Sequence, residues 1–76
     1  MPKEPRVNAR ETIAALRRAG FEEMRITGSH TFMVHHEQKR STVVPEHGGH
    51  DLALGTLHRI LEQAGLSVEE FIANLK

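Results

Sequence analysis

FEEMRITGSHTFMVHHEQKRSTVV, residues 21–44, decides the fold. Apolar side chains recur there at alternate positions, Met24 and Ile26, then Phe32 and Val34, and the run Thr42, Val43, Val44 closes the stretch. A period of two belongs to extended chain with one face buried, so residues 21–44 predict three short strands. Thr27, Gly28 and Ser29 separate the first two, and Glu37 to Ser41 the last two. Both interruptions are too short for a crossover, so the strands must form an antiparallel meander. Met24 and Met33 read as packing residues.

On the N-terminal side, Asn8 followed three places later by Glu11 is a capping-box pattern, and Ile13 with Leu16 gives an apolar stripe that Ala9 and Ala19 extend. Gly20 ends that helix, and Phe21 is placed to fold back on its last turn. Residues 1–7, with two prolines and no periodicity, read as a flexible lead-in, so the single domain spans residues 8–76. On the C-terminal side Pro45 ends the third strand, and His47, Gly48, Gly49, His50 form a loop. Leu57, Ile60, Leu61 and Ala64 then mark a second helix that opens between Asp51 and Thr56 and stops at Gly65. Ser67 with Glu70 is another capping box, Leu66 and Phe71 hold the positions of a hydrophobic staple, and Ile72 and Leu75 complete a short third helix. The order α, β, β, β, α, α gives an α+β domain with its long helices on one sheet face and the other face open.

Seventy-six residues bury roughly 60% of their unfolded surface in one small core. That leaves no room for a dinucleotide-binding unit, so chemistry must use a few surface groups or a partner. The absence of cysteine excludes disulfides, thiolate zinc sites and cysteine nucleophiles together. No apolar run reaches the length of a membrane span and the first residues lack a signal-peptide core, so a soluble cytoplasmic protein is expected. Ten basic side chains balance ten acidic ones. The balance is uneven: residues 1–44 hold eight basic and five acidic groups, residues 45–76 two and five. Six histidines stand beside three phenylalanines, with no tryptophan or tyrosine to stack nucleic-acid bases.

The histidines carry the chemical possibilities. His30 enters the second strand directly after Gly28 and Ser29, where a ring can meet solvent and exchange protons near neutral pH. Parity puts it on one face with Phe32 and Val34, which turns it toward the core unless a bulge or the strand end frees it. On spacing alone, an acid–base histidine and a hydrogen-bonded structural one both remain open. His35 and His36 are adjacent in a strand, point to opposite faces and cannot chelate one ion, so neither takes a catalytic role. His47 and His50 fall short of the three or four protein ligands of a zinc site unless His30 or Asp51 joins them. Arg17, Arg18, Arg25, Lys39 and Arg40 supply the available phosphate contacts, each also explicable as a solvated surface charge.

Ala19-Gly20-Phe21, Gly28-Ser29-His30, Val44-Pro45 with His47-Gly48-Gly49, and Gly55-Thr56-Leu57 through Ala64-Gly65-Leu66-Ser67 together resemble the HicA family of toxins. The ordered set spans residues 8 to 75. The resemblance implies a fold similar to a double-stranded RNA-binding domain and a metal-independent, cofactor-free endoribonuclease that cleaves mRNA until a HicB-type antitoxin masks its site. The family's catalytic histidine follows Gly-Ser and maps onto His30; the chemistry of phosphoryl transfer then makes Gly28, Ser29 and His47 candidate supporting residues and Arg25, Lys39 and Arg40 candidate RNA contacts. Parity then predicts a bulge or strand-end geometry at His30. Where family members commonly carry lysines in and after the Gly-Gly loop, this chain has His50, Ala53 and Leu54, which implies weaker RNA affinity that rises as histidines protonate. The alternatives are a non-catalytic module of the same fold, binding RNA or an antitoxin, and a metal-dependent hydrolase built on His30, His47 and His50.

Overall fold

A computed structural model describes residues 4–75. It comprises α1 (Ala9–Arg18), β1 (Glu22–Thr27), β2 (His30–His35), β3 (Arg40–Pro45), α2 (Leu54–Ala64) and α3 (Val68–Ala73). The three strands pair antiparallel in the order β1-β2-β3, so β1 and β3 are the edges. Among the described residues no helix is long and apolar enough to cross a membrane.

The helix ends form as their sequences dictate. Asn8 Oδ1 accepts the Glu11 N–H at 2.8 Å while Glu11 Oε1 accepts the Asn8 N–H at 2.9 Å, closing the first capping box. Ser67 and Glu70 repeat the arrangement ahead of α3. Phe21 N–H donates to Leu16 O at 2.9 Å and Gly20 N–H to Arg17 O at 3.0 Å, the two bonds of a Schellman motif. Gly20 takes φ +104°, and a Cβ there would meet His35 Nε2 at 2.6 Å. Only glycine meets both conditions.

Both long helices cover one sheet face. One core cluster joins Leu16, Phe21, Met33, Val44, Leu52, Ile60 and Ala64; a second joins Val7, Ala15, Leu57, Leu61 and Phe71, with Leu66 packed on it as the staple requires. Val7, which the sequence assigns to the lead-in, is therefore a core residue, and its carbonyl accepts the Leu52 N–H at 2.8 Å. Folded chain thus extends past the expected boundary at Asn8; Met1, Pro2 and Lys3 of the lead-in lie outside the described residues.

Strand parity differs from the sequence reading. In β2 the buried residues are Thr31, Met33 and His35, while Phe32 and Val34 lie half-buried on the open face. Four successive side chains, Thr31 to Val34, can pack on either face, so their pattern does not set the phase. The local environment does. The His35 ring meets Phe21 edge-on at 5.3 Å, its Nδ1 accepts the Gln38 N–H at 3.1 Å, and Gly20 leaves room for it. Phe32 instead lies under the Arg25 guanidinium, 4.9 Å from ring centre to Cζ. Of the bulge or strand-end geometry expected at His30, the strand end occurs, since His30 is the first residue of β2; the ladder irregularity lies between Glu23 and Arg25. Met24, in the bulge there, and Ile26, at the edge of the sheet, are exposed, 52% and 65%, rather than packed. Glu23 turns toward α1 and pairs with Arg17.

Candidate active site

His30 opens β2 opposite Thr27 of β1 and Pro45 of β3. Gly28, at φ +57°, lets the chain reverse in the two-residue turn Gly28-Ser29. The Glu46 N–H then donates to Ser29 O at 2.7 Å and ties that turn to the end of β3. Backbone bonds on both sides hold the His30 Cα while its ring is exposed. The Gln38 N–H holds the ring of His35, and glutamate side chains hold His36 and His58; the His30 ring has no such partner among the described residues. Its nitrogens are available to a ligand.

A groove of about 360 Å³ lies against the ring, lined by His30, Val43, Pro45, Arg59 and Gln63. The first three come from the open face of the sheet. Arg59 and Gln63 stand one turn apart on α2 and enter past the free edge of β3, the strand on which α2 packs. A larger concavity of about 420 Å³, between α1 and Leu75, contains no imidazole.

The other sequence candidates separate. Arg25 shares the open face with His30, but its guanidinium is stacked on Phe32. Arg40 pairs with His35 at the far end of β2, about 17 Å along the strand from His30 at ordinary strand rise. Its guanidinium fills the space a Gly65 Cβ would take, 2.6 Å away, at the C-terminal end of α2 where positive charge is favourable. Lys39, in the same hairpin turn, has φ 55°. The hairpin tip is thus remote from the imidazole. His47 follows Glu46 directly and is exposed at the same end of the sheet as His30. Among the described residues no three His, Cys, Asp or Glu side chains gather as metal ligands, so His30, His47, His50 and Asp51 do not assemble into such a set.

Arg59 was not legible as a site residue. Its only local signal is membership of the polar face of α2 together with Gln63, a property of most surface helices.

Fold and site together define a small αβββαα domain in which the exposed His30 imidazole, fixed at its backbone, stands beside a groove that Arg59 also lines. The family model of the HicA toxin of bacterial toxin-antitoxin systems matches residues 9–66, and the chain belongs to that family. It is accordingly a toxin whose kind of partner is an antitoxin. Comparison with curated proteins returns no match.

Proposed function

We propose that this toxin is a metal-independent endoribonuclease that acts in the cytoplasm, cleaves mRNA through His30, and is silenced by a HicB-type antitoxin that covers that histidine. The observation that carries the reading is the His30 ring itself, exposed and without a side-chain partner, on a backbone held by two strands and the Glu46–Ser29 bond. A general base needs this combination of free nitrogens and a fixed position.

RNA supplies its own nucleophile. His30 in its neutral form takes the proton of a ribose 2′-hydroxyl, and the 2′-oxygen attacks the adjacent phosphorus. The bond from phosphorus to the 5′-oxygen breaks, leaving a 2′,3′-cyclic phosphate and a 5′-hydroxyl. The departing oxygen takes a proton from a second acid, for which His47 at the same sheet end is the candidate, or from water. Gly28 and Ser29 act by setting the turn that aims His30. No step requires a cofactor. An antitoxin acidic at its contact surface would complement the basic excess of residues 1–44.

The test is incubation of wild-type and His30→Ala protein with end-labelled RNA in excess chelator, with analysis of the new ends. Wild-type cleavage to cyclic phosphate ends, absent in the variant, is the expected result. Cleavage retained by His30→Ala removes His30 from the mechanism. A folded wild type that does not cut points instead to a non-catalytic binding module.

A further inference from the structure

We infer that Arg59, with Gln63 one turn after it on α2, receives the scissile phosphate across the groove from His30. The inference rests on the ribonuclease reading above for its chemistry, while the groove stands on geometry.

Charge at the reaction centre sets the requirement. As the 2′-oxygen bonds to phosphorus, negative charge grows on the two non-bridging oxygens, and a cation or fixed donors must face them. The other arginines of the sequence reading stand elsewhere: Arg17 pairs with Glu23, Arg18 donates to the Asn74 carbonyl at 2.7 Å, Arg25 stacks on the Phe32 ring, and Arg40 lies beside Gly65 at the far end of the sheet. Arg59 is exposed, has no carboxylate in ion-pair range among the described residues, and is the cation lining the groove of His30. Its planar fork presents paired N–H groups that match two phosphate oxygens.

Gln63 is oriented for the same ligand. The Thr42 hydroxyl, 3% exposed on the covered face of the sheet, donates to Gln63 Oε1 at 2.8 Å. That bond takes the amide oxygen and leaves the Nε2 hydrogens as donors to the groove. Two donors from one helix therefore face an imidazole from one strand, with the edge of β3 as the floor between them. A phosphodiester, anionic on one side and bearing a hydroxyl on the other, is the ligand class this arrangement fits.

Two measurements on Arg59→Ala test the inference. Binding of a 2′-O-methyl oligoribonucleotide, which lacks the nucleophile and cannot be cleaved, is followed at several salt concentrations. The variant should bind about tenfold more weakly, with the slope of log K against log salt shallower by about 0.7, as loss of one phosphate contact on a single strand requires. Single-turnover cleavage of natural RNA at saturation should slow by about 10²- to 10³-fold, the loss expected on removing one donor to a developing oxyanion. Arg59→Lys should recover part of the rate, because it keeps the charge and loses the fork.

Wild-type affinity and slope in Arg59→Ala would overturn the inference, as would an equal loss in Arg10→Ala, which removes the same charge from exposed α1. A wild type that binds the oligonucleotide but never cleaves RNA would defeat the ribonuclease reading and leave the Arg59 contact to be judged on binding alone. A wild type that binds no RNA would overturn both.

Discussion

His30 and His35 stand at the two ends of one six-residue strand, and everything that distinguishes them comes from outside it. Five positions apart, they project to opposite faces. His35 falls under the helices, 8% exposed, with Phe21 against its ring, the Gln38 N–H on its Nδ1 and Gly20 beneath its Nε2. Its Nδ1 and the edge of its ring are occupied by the fold. His30 falls on the open face, where the neighbouring backbone is fixed and the ring is not. The same side chain is thus a packing element at one end and an available base at the other. Rigidity is present at both ends; the difference lies in whether it reaches the ring.

The sharpest way to break this comparison is to exchange the two losses. His30→Ala should reduce cleavage by at least about 10²- to 10⁴-fold, the contribution of a positioned general base, with an unchanged urea midpoint because the ring is exposed. His35→Ala should do the reverse. Removing its ring opens a cavity beside Phe21 and leaves the Gln38 N–H unpaired, a cost of about 2–4 kcal/mol read from the urea midpoint, while the folded fraction still cleaves. A His30→Ala variant as destabilised as His35→Ala would show that both rings are structural.

Local signals in the sequence carried most of this architecture. Both capping boxes, the staple of Leu66 and Phe71, the stop at Gly20 and the stripe Leu57, Ile60, Leu61, Ala64 depend on residues within a few positions of each other, and each forms as read. The phase of β2 was not legible, because Thr31 to Val34 suit either face and the choice is made by Gly20 and Phe21, ten or more residues earlier. The bulge at Met24 was hidden for a similar reason: Glu23 is drawn inward by Arg17 on a different element, which resets the alternation behind it. His30 was reached through its resemblance to a family motif rather than through parity, which pointed it the wrong way. Arg59 comes to the groove from 29 positions downstream by the packing of α2 on β3, and nothing in its own neighbourhood announces that.

The next prediction probes what holds the His35 end together. Gly20→Ala must place a methyl 2.6 Å from His35 Nε2 at φ +104°, so it should cost about 2–3 kcal/mol in urea unfolding. Combining it with His35→Ala should cost less than the two separately, since the methyl then has space; strict additivity would mean that strain at the glycine, not its contact with the ring, dominates. A smaller effect of opposite sign is expected in the adjoining turn. Lys39 holds φ 55°, which glycine adopts without a Cβ penalty, so Lys39→Gly should stabilise the protein by about 0.5–1 kcal/mol, seen as a higher urea midpoint.

The smallest effect separates the response of the site to acid from that of the fold. Activity and binding in acid can be followed only while the protein stays folded. Glu70 helps set that limit. The Ser67 N–H and then the Ser67 hydroxyl stabilise its carboxylate and hold its pKa below the ordinary value of 4.5. A carboxyl whose folded-state pKa is depressed adds stability that is complete above its unfolded value and disappears as the pH falls through the folded one. The capping box ahead of α3 should therefore weaken only below about pH 4.5. Glu70→Gln should flatten the acid limb of the urea-midpoint curve and leave RNA cleavage at neutral pH unchanged. An acid limb in Glu70→Gln identical to that of the wild type would show that this capping box does not set it.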